Sequence, residues 1–600
     1  MVKGLRGIFG REASEPAPAP ARQPERCLSC GANLEGSRLY ERFRVCHSCG
    51  FHFHLTAQER LATLLDAGSF HEDDRGVSAI DPLSFQGRQS YRSRVVQEQR
   101  RTRLTEAALT GTGWIGGREV VIGVIDFAFL GGSIGVAAGE RLARAFEKAA
   151  ARRVPVVLVC STSGTRMQEG LLALMQGPRI AVAAGRHARA GLPYIAVLTD
   201  PTTGSAYSGF INLADVLIAE PNALVGYAAL RALQETTKNG LPEGAHTSEA
   251  HLQRGLVDAV VSRPNLRETL AGLLDLLTGG GAVERGRPGK EGRVVHTPRP
   301  AWQQVQLSRH AQRPTARDFI ERMTSGFFEL RGDRTGSDDP AVVAGIGSLS
   351  GEAVVLVGQV RPHTNDQAGV IGPAGFRKAE RAFRLASKLG LPVVTLVDTA
   401  GADPSLGAEE AGQGAAIARC MQAMLATASP TVAVITGEGN SEAAMAMAVA
   451  DRVLMLDNAV YEVIRPEDAA AILEGGEAGA PDVAERLRLT SHDCLRLGIV
   501  DHTVPEPGEG AHTDHAAAAA LLRRAVLREL ARLRRKRGSR RLEERYSRYR
   551  ELGSTRSWLR GRIERRLAHL QDRMGSWFDR LRGRAFRRRA DYPDDAGIPV

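Results

Sequence analysis

Seven cysteines, four tryptophans and an aromatic share of 5% are small numbers for 600 residues. No stretch approaches the ~20 apolar residues a helix needs to cross a bilayer, and the opening MVKGLRGIFGREASEPAPAPARQPE has no apolar core of the secretory kind. The chain is therefore expected to be cytoplasmic, where thiols stay reduced and a disulfide framework is excluded. It also lacks a phosphate-loop lysine motif. Evenly spread charge is absent as well. Residues 521–590 hold 25 Arg and Lys against 7 Asp and Glu, so a chain of formal charge +11 is acidic outside that tail. Only the tail invites an acidic partner by charge alone.

Four of the seven thiols stand together in CLSCGANLEGSRLYERFRVCHSC, residues 27–49. Two C-x2-C pairs in a reducing compartment read as a metal site, and Cys27, Cys30, Cys46 and Cys49 suit one tetrahedral, structural Zn2+. The glycine after each pair lets the backbone turn around the ion. His47, His52 and His54 are expected to pack rather than to ligate. Residues 1–25 form a Pro/Ala-rich leader, 26–52 the zinc ribbon, and 279–315 a Gly/Pro-rich linker between two larger domains, 53–278 and 316–515. A basic helical tail, 516–600, closes the chain.

The two domains repeat one another. VPVVLVCSTSGTRMQEG (154–170) reads like LPVVTLVDTAGADPSLG (391–407), LPYIAVLTDPTTGSA (192–206) like SPTVAVITGEGNSEA (429–443), and two further segments follow in the same order. Four segments in register imply two copies of one domain. Apolar runs such as PVVLVC and TVAVIT are continuous, as in strands buried on both faces. In FRKAERAFRLASKLG (376–390), Phe376, Ala379, Phe383, Ala386 and Leu389 make one helical stripe. Strand, glycine turn and helix in alternation predict α/β architecture with a largely parallel sheet, and place functional groups at the strand-to-helix turns. Those turns are TSGTR, DPTTGSA, DTAGADPSLG and GEGNSEAA. They are short of side chains that act as nucleophile or base. They do offer amides at helix N-termini, at the positive end of the helix dipole, where an oxyanion is stabilised.

The zinc-ribbon motif, DFAFLGGSIGVAAGERLARAFEKA, SGTRMQEGLLALMQ and LIAEPNALVGY resemble the beta subunit of bacterial acetyl-CoA carboxylase carboxyltransferase. ELRGDRTGSDDPAVVAGIGSL, GAEEAGQGAAIARCM and DRVLMLDNAVYEVIRPE resemble its alpha subunit. The resemblance, to a beta–alpha fusion, implies a crotonase-like fold in both halves. It also implies transfer of a carboxyl group from carboxybiotin to acetyl-CoA, giving malonyl-CoA for fatty acid synthesis. Acetyl-CoA, as a CoA thioester, would be held by the first half and biotin by the second. Biotin would arrive on a biotin carboxyl carrier protein and be charged by an ATP-dependent biotin carboxylase, since this chain shows neither a carboxylase domain nor a Met-Lys-Met attachment motif. Carried over by position, the amide donors are Gly164/Thr165 and Gly204/Ser205 in the first copy and Gly401/Ala402 and Glu442/Ala443 in the second. A homodimer or higher homo-oligomer is implied.

Several family glycines are replaced here, by Ser163, Ser205, Asn440, Glu442 and Ala443. A turn that needs positive φ disfavours Glu or Ala, and a Glu442 carboxylate pointing inward would repel a ureido anion. Two alternatives therefore stand beside an acetyl-CoA carboxyltransferase: an enzyme for another acyl-CoA, and an impaired paralogue that binds acyl-CoA or regulates. A nucleic-acid binder built on ribbon and tail is disfavoured, since only the tail is basic. In the tail, Trp558, Ile563, Leu567, Leu570, Met574, Trp577, Phe578 and Leu581 form a stripe opposite arginines, compatible with a partner helix, an anionic membrane surface or packing on its own oligomer.

Overall fold

The computed structural model describes residues 25–87, 89–228, 244–278, 299–361 and 369–552. Nearly all of the leader and the whole stripe from Trp558 to Leu581 lie outside them.

Two eight-stranded sheets carry the described residues. The first contains β1 (His71–Asp73), β2 (Ala108–Ile115), β3 (Arg118–Ile125), β4 (Val156–Thr162), β5 (Tyr194–Thr203), β6 (Val216–Ala219), β7 (Val225–Gly226) and β8 (Ala259–Val260). Its order is β1-β2-β3-β4-β5-β6-β8, with β7 extending β5. The second contains β9 (Phe327–Glu329), β10 (Val342–Leu349), β11 (Glu352–Gln359), β13 (Val393–Thr399), β15 (Thr431–Asn440), β16 (Arg452–Leu456), β17 (Val460–Glu462) and β18 (His502–Val504). Its order is β9-β10-β11-β13-β15-β16-β18, with β17 extending β15. A two-stranded pair, β12 (Val370–Ile371) and β14 (Gly401–Ala402), stands beside it. The repeat read from sequence is thus a repeat of topology, strand for strand.

Each sheet is parallel from its third strand on, but begins with antiparallel strands. The reason is local. Gly116 and Gly117 (φ 57° and 76°) and Ser350 and Gly351 (φ 55° and 82°) make two-residue turns with both φ positive, the geometry that returns a strand on itself as a hairpin. The β4 and β13 residues are buried throughout, as continuous apolar runs require. Of the helix stripe, Phe376, Ala379, Phe383 and Ala386 are buried in helix Pro373–Leu389, and Leu389 at its end is half-buried.

Inside the stretch expected to be linker, Ala301–Ser308 is a helix. Ala301 and Val305 pack against Val460, Ala484 and Leu489, which is why a stretch without sustained periodicity is ordered. The two halves meet through charge. Asp258 of the first accepts from Arg334 at 2.5 Å and Arg381 at 2.8 Å, both of the second, and Asp215 pairs with Lys388 at 2.6 Å. Their backbones touch at Gly255 and Gly332, where a Cβ on Gly332 would fall 2.0 Å from the Gly255 Cα. From Ser539 on, helix Gly538–Glu551, basic in its last turn, belongs to a separate C-terminal unit.

Candidate functional site

The four ribbon thiols converge. Thiolates ~2.3 Å from a tetrahedral zinc stand ~3.8 Å apart, and the Cys27–Cys49 and Cys30–Cys46 sulfurs are 3.6 and 3.7 Å apart, with all four within 4.8 Å of one another. Gly31 and Gly50 have φ of 73° and 72°, and their amides return to the Cys27 and Cys46 carbonyls at 2.9 Å. The donor set fits one closed, four-sulfur ion. The histidines beside it serve elsewhere: His54 Nε2 stands 3.3 Å from Asp126, and His52 Nδ1 3.5 Å from Glu220. Glu220 anchors the ribbon, since Arg263 binds it at 2.7 and 2.9 Å while donating to the Phe43 and Phe53 carbonyls. Burial would raise the Glu220 pKa, but Arg60 and Arg263 hold it well below the carboxylate range. Beside this cluster a cavity of about 100 Å³ separates ribbon from sheet.

The predicted donors lie where β4 and β5, and β13 and β15, end. In the first half the two turns touch. Gly164 (φ 101°) and Gly204 (φ 76°) face each other so closely that a Cβ on Gly164 would lie 3.1 Å from the Ser205 nitrogen, and the Thr165 and Ser205 hydroxyls are hydrogen-bonded. The Gly164 amide donates to Thr162 Oγ1 at 3.0 Å. One residue on in each turn, the Thr165 and Ser205 amides have no acceptor among the described residues, so both are open to a ligand.

The second half repeats the pattern in register. The Gly401 amide (φ 134°) donates to Thr399 Oγ1 at 3.1 Å, and the Asp403 amide to Ile371 O at 2.9 Å, as that of Arg166 does to Ile134 O at 3.0 Å. Gly164/Thr165 and Gly401/Ala402 are therefore structural equivalents. Across the other turn, Thr202 pairs with Val225 as Gly439 pairs with Tyr461, so Gly204/Ser205 correspond to Ser441/Glu442, one residue before Glu442/Ala443. The left-handed step falls on Ser441 (φ 60°), which takes the strain expected at Glu442 or Ala443. Both of those residues lie in helix Ser441–Ala448. Glu442 points outward. Its carboxylate accepts from the Ser441 hydroxyl and from its own amide, and these bonds lower its pKa.

Sequence reasoning missed what holds the first turn. Arg166 is 1% exposed; it grips Glu106 at 2.9 Å, Glu169 at 3.2 Å and the Ser133 carbonyl at 2.6 Å. Burial would lower its pKa, yet Glu106 more than offsets this and raises it. Glu169 in turn accepts from Tyr91 at 2.5 Å and from the Val136 amide at 2.6 Å. The Gly-x-Ser-x-Gly string at 131–135 is no nucleophile elbow: Ser133 Oγ donates to Leu130 O and accepts from Arg166 Nε. In the second half Asn440 Nδ2 ties the turns together, donating to Ala400 O at 2.7 Å.

A family model described as "Acetyl co-enzyme A carboxylase carboxyltransferase-like" matches residues 290–553. A Salinispora arenicola protein named acetyl-coenzyme A carboxylase carboxyl transferase subunits beta/alpha is 45% identical over 86% of this chain and 93% of its own. A Saccharopolyspora erythraea protein of the same name is 41% identical over 90% and 97%. The chain belongs to this carboxyltransferase family. Its fold is shared with the transcarboxylase 12S hexamer core, at a TM-score of 0.65 and 21% identity over 81% of this chain and 91% of the other. The carboxyltransferase thus carries a beta-like and an alpha-like half in one chain.

Proposed function

We propose that this protein moves a carboxyl group from carboxybiotin to the methyl carbon of acetyl-CoA, forming malonyl-CoA. The observation that carries the reading is the pair of register-matched amide turns, one at Thr165/Ser205 and one at Ala402/Glu442, in a chain whose named relatives are acetyl-CoA carboxylase carboxyl transferases. In the first half the Thr165 and Ser205 amides would receive the thioester oxygen as it becomes an enolate; in the second, Ala402 and Glu442 would receive the ureido oxygen as the carboxyl departs. Biotin, when bound, would supply a ureido nitrogen able to take the methyl proton, so that no protein base would be needed. Cys27, Cys30, Cys46 and Cys49 would hold one structural zinc ion. Biotin would come on a carrier protein loaded by a separate biotin carboxylase, the protein would work as a homo-oligomer in the cytoplasm, and malonyl-CoA would feed fatty acid synthesis. In keeping with this, no described helix is long and apolar enough to cross a membrane.

A second reading has one observation behind it. The Glu442 carboxylate engages the amide that the second oxyanion needs, as an impaired, acyl-CoA-binding paralogue would show. Incubation with malonyl-CoA and biocytin decides between them. Biocytin-dependent release of acetyl-CoA is expected; its absence in zinc-loaded protein that still binds CoA would favour the paralogue, and activity only with a longer acyl-CoA would revise the substrate.

A further inference from the structure

The second half contains a buried ionic cluster that the proposed chemistry does not use. β15 and β17 run in parallel with Glu438 opposite Val460 and Asn440 opposite Glu462, so Glu438, Asn440 and Glu462 share one face of the sheet. Arg309 donates to Glu438 at 2.6 and 3.0 Å and pairs with Glu467. Arg361 also pairs with Glu438, and Arg465 is taken by Asp468 at 2.8 Å. The Glu462 side chain is fully buried, 3.9 Å from Arg309, and neither of its oxygens has a hydrogen-bond donor among the described residues. Three carboxyls thus share two guanidiniums, both already bound to Glu438. Burial and the neighbouring Glu467 push Glu462 up to about 8 against the pull of Arg309, Arg361 and Arg465. At the matching register position the first half has Gly226, so strand pairing itself does not call for an acid here.

We propose that Glu462, as a neutral acid, is a positioning residue for the second donor turn, and that its ionisation pulls the turn out of line and stops carboxyl transfer. The inference rests on the reading of Ala402/Glu442 as that turn. Asn440 is the last residue of β15, ties the two turns through Ala400 O, and leads directly into left-handed Ser441. A charged Glu462, one strand spacing of ~4.8 Å away, would repel Glu438 and draw Arg309 off Glu438 and Glu467. The strain then falls on the Glu438–Asn440 segment and passes to the Glu442 amide.

The test is kcat for the malonyl-CoA and biocytin reaction from pH 6.5 to 9.5, with thermal unfolding from pH 4 to 9.5, for the wild type, Glu462→Gln and Glu462→Asp. The wild type is expected to lose about tenfold in kcat per pH unit above its midpoint. Glu462→Gln should stay level within about twofold, and Glu462→Asp should keep the alkaline loss; KM for malonyl-CoA, bound in the other half, should not move. Because the folded pKa lies above the unfolded one, the native state holds the extra proton. Wild-type stability should therefore fall as pH rises from about 4.5 to about 8, and that of Glu462→Gln should not. An unchanged alkaline decline in Glu462→Gln overturns the proposal, as does a Gln variant that melts normally but is inactive at every pH. If the wild type has no activity at any pH, the functional reading fails by itself, and coincident melting curves of wild type and Glu462→Gln would still overturn the buried proton.

Discussion

The two halves present the same turns and secure them by different means. In the first, a buried arginine bound by Glu106 and Glu169 clamps TSGTR from beneath, and a hydroxyl pair bridges the two turns. In the second, the residue at the Arg166 position is Asp403, which merely accepts from the Ser405 amide at 2.9 Å. There the turns are tied by Asn440, and the network behind them reaches out to Arg309, beyond the helix inside the expected linker. What persists between the copies is the backbone: the Thr–Gly amide bond, the positive φ and the strand register. Under the proposed reading the backbone amides would do the work, which is why the side chains that secure the turns can differ between the two copies.

The comparison breaks most readily at Arg166. Arg166→Met strands two buried carboxylates and should cost about 3–5 kcal/mol in urea unfolding, with loss of turnover. Asp403→Ala, the matching change in the second half, should stay within about 0.5 kcal/mol. Next comes Gly204→Ser, which gives the first half the residue of the second. Its Cβ would lie 2.9 Å from the Ser163 carbonyl at φ 76°, so a loss of about 2 kcal/mol and a lower kcat are expected. Glu442→Gly sharpens the contrast from the other side: it releases the donor amide from its own carboxylate, and kcat with biocytin should rise about tenfold, or ~1.4 kcal/mol, with KM for malonyl-CoA unchanged. An unchanged kcat would mean that Glu442 is an adaptation. The smallest effect is Ser441→Gly. Relief of the left-handed strain, set against the extra freedom of glycine when unfolded, should leave a gain of about 0.5 kcal/mol in the same unfolding assay.

The duplication was legible because topology writes itself into runs of apolar residues. PVVLVC and PVVTLV occupy the same place in the two sheets, and the strand pairing keeps Thr162 and Thr399 equivalent. The four thiols were legible for a similar reason, their spacing being the chemistry. The leading hairpins were not foreseen, since Gly-Gly and Ser-Gly turns sit inside stretches whose apolar content suits either strand direction. Nor was the Arg166 cluster, whose partners Tyr91, Glu106 and Glu169 are scattered along the chain without a period. The strained residue was misplaced by one for a simple physical reason. A helix that starts at Ser441 puts Glu442 and Ala443 into ordinary helical backbone, where neither needs to be glycine.

Asp258 has a consequence for supply as well as shape. By gripping Arg334 and Arg381 it makes the alpha-like half the standing neighbour of the beta-like half, and a single polypeptide delivers the two in a fixed one-to-one ratio. Tethered partners meet at an effective concentration in the millimolar range, so an interface of a few ion pairs and a glycine crossing suffices where separately made subunits would need a tighter one. A cell using this chain has no surplus of either subunit to balance or degrade.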